Sequence, residues 1–252
     1  MDNTVSQEVR IYPDIELLSH EAAGEMVYLI HAIVAEKGSF TIALSGGRTP
    51  AALYQLIAGK YSSQIPWDKV HIFWGDERYV PAGHTDSNFA MASKTLISHI
   101  SIPTQNIHSV PTELKPIEKA AEAYEQMLKS FFLKESPFPC LDLILLGVGE
   151  DGHTASLFPG DSAIREMHRL VMPVIAPANY PPRNRITLTL PVINSADNVF
   201  FIAAGSEKSK VIRSILEDRK TAGRLYPAAM VQPKGRIIWF LDNKAYTAHK
   251  NN

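Results

Sequence analysis

Six short apolar, β-rich runs constrain this chain more than any other feature. They are Phe40–Leu44, Val70–Trp74, Leu141–Leu146, Ile186–Leu190, Val199–Ala203 and Ile237–Leu241. Most are nearly continuous rather than alternating, as in strands buried on both faces. Helix-like segments lie between them. His20–Lys37 places Ala22, Met26, Leu29, Ile30 and Ile33 at helical spacing. Pro50–Gly59, Asn88–Ile97, Ile117–Leu133 and Glu207–Leu216 complete the set. Strands alternating with helices predict βαβ units. The expected fold is α/β: a doubly wound, mostly parallel, Rossmann-like sheet with helices on both faces. No repeat, linker or composition break divides the chain, so residues 1–252 are expected to form a single domain. In such sheets ligands bind beyond the carboxyl ends of the strands.

Composition narrows the partners. Apolar residues make up 45% and charged residues 20%, with a formal net charge of −1. There is no basic stripe, so nucleic acid is not an expected partner. An anionic substrate has to be held by a few placed cations rather than by the overall field. The N-terminus lacks the apolar h-region of a signal peptide, and no stretch reaches the ~18 apolar residues of a membrane span. The expected setting is cytoplasmic, without a membrane partner. Cys140 is the only cysteine, which excludes an internal disulfide and reads as a small buried hydrophobe. No feature speaks to oligomeric state.

The loops after the strands carry the candidate chemistry. The first run ends in Ser45-Gly46-Gly47-Arg48-Thr49-Pro50. Its glycines allow close backbone approach to a ligand. Thr49 reads as an N-cap and Pro50 as a first helical residue, so free N–H groups there form an anion site. An ordinary strand–helix turn is the alternative. The segment is neither a dinucleotide fingerprint nor a Walker loop, and no nucleotide cofactor is implied. The second run ends in Gly75-Asp76-Glu77-Arg78. Charges directly after a buried strand are costly unless paired or functional. Arg78 suits a phosphate or an oxyanion and Asp76 or Glu77 could orient it, or the loop is simply salt-bridged. Downstream, Ser87 and Asn88 follow Asp86 and read as a helix cap or as site residues.

The third run ends in Gly147-Val148-Gly149-Glu150-Asp151-Gly152-His153. A histidine set by a glycine loop at a strand end suits general acid–base work, its unperturbed pKa being about 6.5. Asp151 is a candidate to orient it; the alternative is a histidine that merely caps a turn. The fourth signal is Arg185, at the start of a buried strand, where a cation needs a partner. The fifth is Lys208, which follows Gly205 in a helix's first turn, where a cation opposes the helix dipole. Of the other histidines, His20, His31, His99, His168 and His249 read as solvated, His71 lies in a strand, and His84 and His108 lie in loops. None shows metal-ligand spacing, and no metal is expected.

Together these pieces resemble the 6-phosphogluconolactonase family. The matching segments are SGGRTP (45–50), WGDERYVP (74–81), DSN (86–88), LLGVGEDGHTASLFPG (145–160), RITLTLP (185–191) and GSEKSKV (205–211). They occur in the family's order. The family often has a small residue at position 48, so no role is carried onto Arg48. The related glucosamine-6-phosphate deaminase family reads Asp-Glu-Tyr where this chain has Asp76-Glu77-Arg78. It also reads Gly-His-Ile-Ala-Phe-Asn-Glu where this chain has Gly152-His153-Thr154-Ala155-Ser156-Leu157-Phe158, so its acidic residue is absent here. A sugar-phosphate sensor on the same fold would keep the phosphate loops and could dispense with the histidine loop.

The resemblance implies hydrolysis of 6-phospho-D-glucono-1,5-lactone to 6-phosphogluconate, in the oxidative pentose phosphate pathway, with no cofactor. It assigns His153 as the base on water, Asp151 as its orienter and Arg78 to the oxyanion or the phosphate. Ser45, Gly46, Gly47, Thr49, Asp76, Asn88, Arg185 and Lys208 are then the substrate- and phosphate-binding set.

Overall fold

The computed structural model describes residues 6–132 and 137–247. The predicted end of one helix at Leu133 and the histidine at 249 lie outside them. The strands are β1 (Ser6–Tyr12), β2 (Phe40–Leu44), β3 (Val70–Trp74), β4 (Asp76–Arg78), β5 (Leu143–Leu146), β6 (Val171–Ile175), β7 (Asn184–Leu188), β8 (Asn198–Ala203) and β9 (Arg236–Asp242). The longer helices are α1 (Ile15–Lys37), α2 (Arg48–Leu56), α3 (Asn88–Thr95), α4 (Ile117–Phe132) and, later in the chain, Ser209–Glu217.

Six strands form one sheet in the order β1-β9-β8-β5-β2-β3. Every neighbouring pair in it is parallel. This is the α/β fold that the apolar runs predict. Strands β2, β5 and β8 are buried at every position. Leaving β2, the chain goes outward to β3 on one side and returns to β5 on the other. The crevice between the carboxyl ends of β2 and β5 is therefore the topological switch point, where such sheets bind ligands.

One predicted strand lies elsewhere. Ile186–Leu190 was expected in the main sheet, but β7 pairs antiparallel with β4 and β6 in a separate sheet of order β4-β7-β6. Its apolar run is continuous because both faces are still covered, so composition does not distinguish it from a central parallel strand. Gly75 joins the two sheets. Its N–H donates to Leu44 O at 2.9 Å, and its carbonyl accepts from Leu188 N at 2.8 Å. Edge strand β1 leaves no continuous apolar run, since its residues are largely exposed.

Helix starts follow local chemistry. The Asp14 side chain accepts from Leu17 N and caps α1, while Gly38 ends that helix at φ +82°, a conformation glycine adopts without a Cβ penalty. Capping by Thr49 does not hold: α2 begins earlier, with Gly47 at φ +108° as N-cap and no side-chain cap. Lys208 likewise closes a 3₁₀ turn, Ser206–Lys208, just before the helix it was expected to open. Cys140 is half-buried, with its thiol 3.3 Å from Asp197 Oδ1.

Candidate active site

The switch-point crevice is a cavity of about 280 Å³. Ser45, Gly46, Gly47, Arg48 and Thr49 line it from the loop after β2. Asp76, Arg78 and Arg185 come from the small sheet, Gly147–Glu150, His153 and Ala155 from the loop after β5, and Lys208 from the turn after β8. Of the residues singled out from sequence, Asp151, Asn88, Glu77 and Ser87 are not among the lining; Asp151 and Asn88 stand one layer behind it.

The β2 loop is held from beneath. The Tyr54 hydroxyl accepts from Ser45 N at 3.0 Å and donates to Ser45 O at 2.9 Å. Ser45 is 5% exposed, and its own hydroxyl has no hydrogen-bond partner among the described residues. A Cβ on Gly46 would fall 1.9 Å from Asn88 Oδ1, so this loop packs on the Asn88 amide. Asn88 Nδ2 donates to the Asp76 carbonyl at 2.8 Å. Asn88 therefore acts here as a support for the Gly46 turn and Asp76. The Asp76 carboxylate also accepts from Ser156 Oγ at 2.6 Å, tying the histidine loop to β4.

Glu77 looks inward and caps α3. It accepts from the backbone N–H groups of Asn88 and Phe89, both at 2.7 Å, and from Ser87 Oγ at 3.2 Å. Burial pushes its carboxyl up from the ordinary glutamate value, against the pull of these backbone donors. Ser87 is the N-cap of α3, as the sequence suggests.

His153 Nδ1 lies 2.6 Å from Asp151 Oδ1, which also accepts from His153 N at 3.1 Å. A carboxylate only accepts, so Nδ1 carries a proton, and in the neutral form of the ring Nε2 keeps its lone pair. Burial works to raise the Asp151 carboxyl, but the hydrogen bond and charge of His153 outweigh it and hold it below the usual value. The imidazole also contacts Phe158 and Tyr180, with ring centroids 4.6 and 4.9 Å away. Ala155, two residues after His153, has φ +47°, a conformation uncommon for a residue with a Cβ and typical of functional loops.

The cations lack carboxylate partners. Arg78 and Arg185 are opposite one another across the β4–β7 ladder, where like charges repel. Arg78 Nη1 donates to Asp86 O at 2.8 Å, while its Nε is buried without a partner. Arg185 is 5% exposed and, among the described residues, donates only to the carbonyls of Pro182 (2.8 Å) and Tyr180 (3.0 Å). Burial lowers its pKa, opposed by the charge of Asp76. Lys208 is lowered too, by burial first, with Glu207 opposing and Arg48 adding to the shift. Among the described residues, none of these four cations forms an ion pair. Arg185 is buried, Arg78 and Lys208 are partly buried and Arg48 is exposed; sheltered cations without anions mark a site that receives one.

Among the described residues no three His, Cys, Asp or Glu side chains converge as metal ligands would. His71 and His108 are paired at 3.2 Å outside the cavity lining. His20, expected in solvent, is half-buried against Tyr61. Tyr180 was not found from sequence. It sits in a polar, proline-rich loop, and no local pattern shows that its ring turns inward.

Relatives share this architecture. A family model described as "Glucosamine-6-phosphate isomerases/6-phosphogluconolactonase" matches residues 13–239. A 6-phosphogluconolactonase of Nostoc sp. is 41% identical over 244 residues, 96% of this chain and 98% of that protein. One of Synechocystis sp. is 41% identical over 242 residues, again 96% and 98%. The solved structure of 6-phosphogluconolactonase from Trypanosoma brucei superposes with a TM-score of 0.83 at 29% identity, covering 96% of this chain and 98% of that one. With residues 13–239 matched by the family model and 96% of its length aligned to relatives at 41% identity, the chain belongs to the glucosamine-6-phosphate isomerase/6-phosphogluconolactonase family.

Proposed function

We propose that the protein is a lactonase that hydrolyses 6-phospho-D-glucono-1,5-lactone to 6-phosphogluconate. The observation that carries this reading is the Asp151–His153 pair opening on a cavity lined by four cations that form no ion pair among the described residues. A phosphorylated ester needs both: a base for water, and positive charge for the phosphate and for the oxyanion.

In this reading water attacks the lactone carbonyl carbon while His153 Nε2 takes its proton. The new C–O bond forms and the carbonyl oxygen becomes an alkoxide. As the tetrahedral intermediate collapses, the ring C–O bond breaks and the imidazolium returns the proton to the departing ring oxygen. Asp151 holds the tautomer and stabilises the transient imidazolium. A positioned base contributes typically about 10²–10⁴ in rate. The α2 start, with its N–H groups, the Ser45 and Thr49 hydroxyls and Lys208 beside Arg48, suits the phosphate. Arg78 and Arg185 suit the developing oxyanion, since Arg185 is anchored to Tyr180, whose ring touches His153. One oxyanion donor is worth about 10²–10³ in kcat. Asp76 is left to accept from a sugar hydroxyl.

The test is lactone hydrolysis, with substrate generated in situ, spontaneous hydrolysis subtracted and 6-phosphogluconate formation followed. His153→Ala is expected to lose about 10²–10⁴ in kcat while still binding 6-phosphogluconate. No acceleration by folded protein would overturn the reading, and ammonia release from glucosamine 6-phosphate would be measured next. Full activity in His153→Ala would move the base elsewhere.

A further inference from the structure

We propose that Tyr180 is a positioning residue for His153, and that one loop thereby holds the base and Arg185 in fixed relation. This rests on the lactonase reading above. Residues 176–183 join β6 to β7. The loop is closed at its base by Ala176 N donating to Arg183 O at 2.7 Å and by Arg183 Nε donating to Ala176 O at 2.9 Å. At its tip Tyr180 N donates to Pro177 O at 2.9 Å. Pro177, Ala178 and Asn179 are exposed, whereas Tyr180 is half-buried and lines the cavity.

The ring meets the imidazole edge-on, at 4.9 Å and 75°. It also lies 5.5 Å from Phe158, which itself sits 4.6 Å from His153. Phe158 is buried and belongs to the histidine loop; Tyr180 arrives from the small sheet. His153 is thus packed by two aromatic rings from different parts of the chain. Asp151 determines which nitrogen carries the proton, but a single hydrogen bond leaves the imidazole free to swing about it. Ring packing restricts that swing, since edge-to-face aromatic contacts are directional. Burial, then the nearby Asp151 charge, raises the Tyr180 phenol above its ordinary value, so the wall it presents is neutral.

The same residue reaches the cation. The Tyr180 carbonyl accepts from Arg185 Nη2 at 3.0 Å, and Pro182 O, two residues on, accepts from Nε at 2.8 Å. The base is touched by the side chain of Tyr180 and the guanidinium by its main chain. A displacement of the loop moves both together, which preserves the spacing a near-attack geometry needs.

The experiment compares Tyr180→Ala and Tyr180→Phe in the full chain, with His153→Ala alongside. Steady-state lactone kinetics are read together with the low-field proton NMR signal of the His153 Nδ1–H. Tyr180→Ala is expected to lower kcat about 10-fold with KM changed less than about 2-fold, the pattern of misplaced chemistry rather than lost binding. Its Nδ1–H signal should broaden or vanish. Tyr180→Phe keeps the ring and should restore both kcat and signal. Circular dichroism and 6-phosphogluconate binding report that the variants are folded. Wild-type kcat and signal in Tyr180→Ala would overturn the proposal and leave the lactonase reading standing. A Phe variant as impaired as the Ala variant would overturn it as well, pointing to the hydroxyl instead. If His153→Ala kept the full rate, the lactonase mechanism would fail, and the NMR signal alone would decide whether Tyr180 orders His153.

Discussion

Gly149 shows how little space surrounds the base. A Cβ there would lie 2.1 Å from His153 Nδ1 and 2.8 Å from Asp151 Oδ1, far inside van der Waals contact. The residue is glycine because the imidazole and carboxylate occupy the volume a side chain would need. Gly149→Ala is therefore expected to push the imidazole off Asp151 and lower kcat about 10²-fold, the scale of an ~1 Å misplacement. Lactone kinetics check this, and 6-phosphogluconate binding should persist because the cations are untouched. Unchanged kcat would mean that the loop backbone yields instead.

At the scale of elements, α4 is docked on the small sheet by one carboxylate. Glu125 accepts from Leu170 N at 3.0 Å, Val171 N at 3.2 Å and Lys129 Nζ at 2.6 Å. Burial works to raise its carboxyl, but Lys129 and the two backbone donors hold it below the ordinary value. A carboxyl so depressed contributes stability above its unfolded pKa, and that contribution is lost as pH falls through the folded one. Glu125→Ala should cost about 1–3 kcal/mol at neutral pH, because two backbone donors are left unpaired. Urea unfolding of both proteins measures the gap, which should narrow below about pH 4, where a glutamate protonates. A gap that stays constant with pH would assign the cost to packing rather than charge.

Across the whole molecule, the large sheet supplies most of the core and the loops that carry Ser45, Thr49, His153 and Lys208, and the small sheet adds Asp76, Arg78 and Arg185. Trp239 of β9 stacks on Phe201 of β8, its register neighbour, with centroids 4.0 Å apart and 7° between the planes. Trp239→Ala is expected to cost about 3–5 kcal/mol in denaturant unfolding, with kcat per folded molecule little changed because Trp239 does not line the cavity. A large fall in kcat would show that the sheet's packing reaches the site. Arg78, Arg185 and Asp76 come from β4 and β7 of the small sheet, so the packing of β8 on β9 does not touch them directly.

Much of this was legible in residue order. Buried strands must be apolar on both faces, so β2, β3, β5, β8 and β9 announce themselves as unbroken runs. A ligand at the carboxyl ends of such strands needs glycine, cation and base directly after them, and the Ser45–Thr49 and Gly147–His153 stretches read that way. What the order of residues leaves open is any decision made by contacts between distant segments. A continuous apolar run does not say which sheet it joins, so β7 was assigned to the wrong one. A buried asparagine does not say whether it faces a ligand or, like Asn88, the underside of a glycine turn. Tyr180 comes nearly thirty residues after His153, in a loop that looks solvated. Only the fold brings its ring to the imidazole, because burial and ring packing are properties of the assembled chain rather than of neighbouring residues.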